Sequence, residues 1–123
     1  MGSQSEFSRV DRVRKAILKE MGDILAREIK DPRLESYVIS VTEVVLTNDL
    51  RHAKVYVSIL HDDPDQRNLL MTILMEYQSK IRSAIGRRIR LRYTPEVELA
   101  LDTSLERGMR VSQLLEKISR GEV

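Results

Sequence analysis

Between Tyr37 and Leu60 lie two runs whose residue types leave little choice but pairing. YVISVTEVVLT (37–47) is rich in β-branched residues, which suit a pleated strand better than a helix. RHAKVYVSIL (51–60) alternates, placing Ala53, Val55, Val57 and Ile59 on one face. Asn48-Asp49 between them is turn chemistry, so the pattern predicts a hairpin. In the first run the apolar phase slips. Ile39 and Val41 share one parity, Val44 and Leu46 the other, and a bulge near Thr42-Glu43 reconciles them.

The flanking sequence supplies helices. Ser8 is a capping residue with Asp11 three positions later, in the manner of a capping box. Val10, Val13, Ile17, Met21, Ile24 and Leu25 follow on one helical face, opposite Arg12, Lys15, Lys19 and Asp23. Asp31-Pro32 stops that helix. Asp63-Pro64-Asp65-Gln66 opens another, with Asp63 as cap and Gln66 reaching back. Its inward stripe is Leu70, Ile73, Leu74, Tyr77, Ile81 and Ile85. Beyond Gly86 the apolar spacing falls from four (Ile81, Ile85, Ile89) to two (Ile89, Leu91, Tyr93). This predicts a break at Gly86, a short second helix and extended chain before Pro95. EVELALD (96–102) alternates as a third strand. Thr103 with Glu106 forms another capping box, opening a last helix that faces inward through Leu105, Met109, Leu114 and Ile118. The expected fold class is α+β, in the order α-β-β-α-α-β-α, with a three-stranded sheet and helices packed on one face. Residues 8–118 form the domain, after a flexible N-terminus (1–7) and before a short tail (119–123).

Composition removes several function classes. The 41% apolar content of 123 residues supports one aliphatic core, with one Phe, four Tyr and no Trp. The absence of cysteine excludes disulfides and thiolate zinc sites, and fits a reducing, cytoplasmic setting. No apolar run approaches the roughly 20 residues of a membrane span. Asp62, Asp63 and Asp65 around Pro64 read as helix capping in preference to a Mg²⁺ site. His52 and His61 lack an acid–nucleophile arrangement, and no P-loop, HExxH or dinucleotide fingerprint is present. No enzyme, metal or cofactor is expected.

Net charge is +2, but KIRSAIGRRIRLR (80–92) carries six basic residues and no acidic one, which leaves −4 elsewhere. Solvated helix faces usually mix signs, so an unmixed run points to a polyanion. Gly inside a helix costs on the order of 1 kcal/mol relative to Ala. Gly86 therefore serves either close packing or close approach of a phosphate to free N–H groups. The scarcity of aromatics argues against base stacking as the main contact.

The order of elements is similar to the type II KH domain, whose two helices clamp a nucleic-acid backbone. The first glycine of the GxxG loop is absent, and Ala84-Ile85-Gly86 resembles the Ala-x-Gly helix kink of the bacterial ribosome-binding factor A family. DRVRKAILKEMGDILAREIKDPRL (11–34), LRHAKVYVSIL (50–60) and DTSLERGMRVSQLLEKI (102–118) resemble the same family, so the likeness covers Arg9 to Ile118. It implies a monomeric, cytoplasmic, non-enzymatic assembly factor. Such a factor binds free or immature 30S subunits and their 16S rRNA and aids late maturation, including 5′-end processing and growth in the cold. The candidate RNA-binding residues are then Lys80, Arg82, Ala84, Gly86, Arg87, Arg88, Arg90 and Arg92, with Lys30, Arg33, Arg107 and Arg110 as secondary candidates, Arg107 having a nearby Glu as an alternative partner. A protein-binding adapter that docks an acidic partner on the same ridge is the alternative.

Overall fold

The computed structural model describes residues 2–121, with side chains described over 9–104 and 113–121. Its elements are α1 (Gly2–Arg27), α2 (Pro32–Glu35), β1 (Ile39–Leu46), β2 (His52–Ile59), α3 (Pro64–Met75), α4 (Gln78–Arg88), β3 (Glu96–Leu101) and α5 (Ser104–Ser119). Apart from the single-turn α2, this is the expected order. One sheet runs β1-β2-β3, antiparallel between the first pair and parallel between the second.

The alternation of β2 holds in three dimensions: Ala53, Val55, Val57 and Ile59 are all buried. Val55 lies opposite Val44 on one side and Leu99 on the other. Ile17, Met21 and Ile24 of α1, Leu70 and Leu74 of α3, and Ile81, Ala84 and Ile85 of α4 join the same core. Full burial of one such aliphatic chain contributes about 1.5–3 kcal/mol, so this face holds the fold. The bulge falls where the phase slip placed it, between Val41 and Glu43. The extra Thr42 turns its hydroxyl to Asp102 Oδ2 at 2.6 Å. In the hairpin, Asp49 Oδ1 accepts from the Thr47 hydroxyl and the Arg51 N–H. Those bonds hold a turn in which Leu50 takes φ 62°, a conformation costly for a residue with a Cβ.

Several boundaries differ from the sequence pattern, each for a physical reason. α1 starts at Gly2, not Ser8. Nothing in residues 2–7 breaks a helix once later turns have nucleated it, and the Ser8 side chain lies outside the described ones. Asp11 pairs with Arg14 and Lys15 rather than closing a box. Gln66 donates to the Tyr37 hydroxyl instead of reaching back, while Asp63 caps α3 as expected. At α5, Asp102 rather than Thr103 accepts the Ser104 N–H. Leu114 and Ile118 are exposed rather than inward, because α1, α3 and α4 already cover the apolar face. Leu105, Glu106, Arg107, Met109 and Arg110 fall outside the described side chains.

The largest correction concerns the helix break. α4 continues through Ala84-Ile85-Gly86 to Arg88, and the break lies at Glu76-Tyr77. No glycine or proline marks it; tertiary bonds do. α1 ends four residues before Asp31, which instead caps α2 through the Arg33 N–H. The buried Asp31 carboxylate also receives the Arg33 guanidinium and, at 2.6 Å, the Tyr77 hydroxyl. Arg33 reaches Glu76 at 2.9 Å. The break between α3 and α4 is thus tied to the turn after α1. The Arg33 guanidinium first, and the Tyr77 hydroxyl second, hold the Asp31 carboxyl well below the usual carboxylate range. A depressed folded-state pKa contributes stability that is present above the unfolded value of about 3.9 and is lost as pH falls toward the folded one. Asp31→Asn is therefore expected to unfold at lower urea than wild type at pH 7, and to lose less of its midpoint on acidification to about pH 3. Parallel acid losses in the two proteins would contradict this role.

Candidate nucleic-acid interface

α4 carries two stripes. Ile81, Ala84 and Ile85 face the core. Ser79, Arg82, Ser83 and Gly86, spaced by three and four, form the second, and the chain entering β3 lies across it. Between them opens a cleft of about 580 Å³, lined by Ser79, Arg82, Ser83, Gly86, Arg87, Arg92, Tyr93 and Thr94. Its floor explains Gly86. A Cβ there would lie 2.7 Å from Thr94 Oγ1, so the missing side chain admits Thr94. Gly86 also sits in the last turns of α4, where carbonyls rather than N–H groups are free, so no anion site opens beside it. Cations suit that end instead. Arg82 completes the closure. Its Nε donates to the Pro95 carbonyl and its Nη2 to that of Thr94, both at 3.0 Å, with Glu96 at 3.3 Å.

The ridge is not as unmixed in space as it is in sequence. Arg88 is enclosed by Glu20 (2.9 Å), Asp23 (2.6 Å) and Glu28 (2.7 Å), all from α1 or the residue after it. Asp23 first, then Glu20 and Glu28, raise its pKa above the ordinary arginine value. Arg87 first, then Arg88, hold the Glu28 carboxyl below the usual range. Arg87 meets Glu28 at 2.6 Å yet stays 61% exposed, against 22% for Arg88. Arg88 therefore braces α4 against α1, while Arg87 faces the cleft.

The other expected residues divide as follows. Arg82, Gly86, Arg87 and Arg92 come together at the cleft. Lys80 and Arg90 are exposed but do not line it. Ala84 is fully buried and presents no surface. Lys30 donates to the Ala26 carbonyl beside a separate hollow of about 330 Å³ between α1, α2 and β1, and Arg33 is engaged by Asp31 and Glu76. Ser79, Ser83, Thr94 and Tyr93 join the cleft without having been singled out. The three-and-four spacing of Ser79, Ser83 and Gly86 was the available signal. Among the described residues no group of three or more His, Asp or Glu side chains is placed to hold a metal ion, and no helix is long and apolar enough to cross a membrane. Gly86→Ala should gain up to about 1 kcal/mol of helix propensity when made with Thr94→Ala. In the presence of Thr94 that gain should vanish or reverse. A urea-melt double-mutant cycle with no coupling would contradict the packing role.

Comparison with known proteins places the chain in a family. The family described as Ribosome-binding factor A matches residues 9–115. The Ribosome-binding factor A of Caldicellulosiruptor bescii is 46% identical over 114 residues, covering 93% of this chain and 86% of that protein. The crystal structure of ribosome-binding factor A from Thermus thermophilus superposes with a TM-score of 0.51 at 26% identity, over 74% of this chain and 89% of that one. A homology model of the Thermus thermophilus factor, fitted into the cryo-EM map of a 30S complex, shares the fold at TM-score 0.54 and 24% identity, over 76% and 91%. With the sequence match spanning the core, the hairpin and the cleft alike, the chain belongs to the ribosome-binding factor A family.

Proposed function

We propose that this chain binds the 30S ribosomal subunit by gripping the sugar-phosphate backbone of 16S rRNA along the cleft between α4 and the segment before β3. The observation that carries this reading is the convergence of Arg87 and Arg92 with the hydroxyls of Ser79, Ser83 and Thr94 in one open cleft, whose wall Arg82 pins through the Thr94 and Pro95 carbonyls. Guanidiniums suit bidentate phosphate contact, and hydroxyls both donate and accept toward phosphate and ribose. Lys80 and Arg90 extend the positive strip beyond the cleft. Arg82 and Gly86 hold the strip in shape, and Arg88 acts as a brace. The family supports an assembly factor that works by binding, and the same proposal places it on immature cytoplasmic subunits as a monomer. Assistance to 5′-end processing of 16S rRNA and to growth in the cold belongs to the same proposal.

A protein-docking adapter is the second reading, favoured by the exposed Leu114, Leu115 and Ile118 of α5. Ribonuclease separates the two: association lost on RNA digestion supports the cleft, and association with small-subunit proteins that survives digestion supports the adapter.

With Lys80, Arg87, Arg90 and Arg92 as phosphate contacts, the log–log salt slope for rRNA binding should be about −3 to −4. Arg87→Glu with Arg92→Glu should weaken binding and flatten that slope by more than 1. Arg88→Ala should lower stability with little effect on the slope. Unchanged affinity for 30S particles in the folded double variant would remove the cleft from the binding mechanism.

A further inference from the structure

Tyr93 is the one exposed tyrosine of four. Tyr37, Tyr56 and Tyr77 are half-buried, and Tyr77 is bonded to Asp31. The Tyr93 ring is 56% exposed at the rim of the cleft. Two guanidiniums lie against it, Arg51 Cζ at 5.1 Å and Arg92 Cζ at 5.5 Å from the ring centre. The topology brings these residues together from distant parts of the chain. β2 and β3 run parallel with His52 opposite Glu96, and the Glu96 N–H donates to the Arg51 carbonyl. The residues just before each strand therefore emerge side by side at one end of the sheet.

The platform is also rigid. Pro95 is fully buried, and Arg82 holds the Thr94 and Pro95 carbonyls. The backbone that carries the ring is thereby anchored by the fold. A flat, exposed, cation-flanked ring beside phosphate-binding arginines is the arrangement that unpaired bases use in single-stranded RNA recognition.

We propose that Tyr93, with Arg51 and Arg92, is a stacking seat for one unpaired RNA base at the mouth of the phosphate cleft. The base lies on the ring in exchange for one guanidinium, and the displaced cation turns to the adjoining phosphate. This rests on the RNA-binding reading above and adds to it a preference for unpaired over helical RNA. No base identity follows, since every base has a π-face.

The test compares the full chain binding a short oligouridylate with its binding of the same ribose-phosphate chain carrying central abasic sites. Wild type and Tyr93→Phe should prefer the base-bearing RNA about tenfold. Tyr93→Ala should bind both RNAs alike, at the abasic level. Arg87→Glu should weaken both equally and keep the preference. A wild type without preference, or a Tyr93→Ala variant that retains it, overturns the seat. Should Arg87→Glu leave both affinities unchanged while the preference persists, the phosphate cleft fails and the seat stands. If Tyr93→Ala melts early, a central 2-aminopurine decides instead: quenching on binding to wild type and Tyr93→Phe is expected, and undiminished fluorescence overturns the proposal.

Discussion

The close crossing of the chain before β3 over α4 is the contact on which the site depends. It is possible because Gly86 has no side chain and Thr94 occupies that space. Arg82 fixes it by donating to two consecutive carbonyls, those of Thr94 and Pro95. Buried or half-buried backbone carbonyls are expensive to leave without donors, so Arg82 is structural first. The consequence for function is indirect but strong. Arg92 and Tyr93 sit immediately before the pinned residues, and Pro95 is sealed in the core. Their positions follow from the packing beneath them and need no ligand to form. Of the two uses that the sequence left open for Gly86, close packing and close approach of a phosphate, the structure shows the first: the glycine admits the protein's own chain.

The second constraint is electrostatic. Four cations at the C-terminal half of α4 and just beyond it would repel one another, although the end of a helix welcomes positive charge. α1 answers with Glu20 and Asp23, and the residue after it with Glu28, on the side that faces α4. Their distribution is unequal. Arg88 is surrounded and largely covered, and extracting it would strand three carboxylates near one another. Arg87 has a single partner and remains mostly exposed, and an exposed pair of that kind contributes little because water and salt screen it. Exchange of Glu28 for a phosphate at Arg87 is therefore nearly neutral, whereas the same exchange at Arg88 is not. Two adjacent arginines of the same run thus have different duties, assigned by what α1 places beside each.

Much of the architecture was legible because it follows from periodicity. The alternation of β2 fixed its buried face, and the phase slip of β1 required a residue without a partner, which is Thr42. Asp63-Pro64 opened α3 as local capping chemistry dictates. The helix break was not legible, since Leu74, Tyr77, Ile81 and Ile85 continue one helical spacing straight through it. It is imposed from outside by Asp31 and Arg33, residues more than forty positions away, and such bonds leave no periodic trace. Gly86 misled for the complementary reason: a glycine inside a helix reads as a break when its packing partner is unseen. The same blindness made the ridge look purely cationic, because the neutralising acids belong to a different helix. Tyr93 was read as the end of an alternating apolar pattern, and its exposure depends on where Pro95 is anchored.

These two constraints also determine how the cleft meets a polyanion. A strip whose cations were all free would attract any nucleic acid, helical or not, with selectivity limited to charge. Here Arg88 is withdrawn and Arg82 is committed to carbonyls. The cations left facing solvent are fewer and are separated along the strip, with hydroxyls and one aromatic ring between them. In the proposed complex, attraction alone is then a smaller part of the interaction, and fit to the spacing of phosphates and to a splayed-out base is a larger part. Internal neutralisation by α1 lowers non-specific affinity and leaves shape to discriminate. That balance suits the proposed partner, one surface of a large RNA assembly surrounded by a great excess of equally charged backbone.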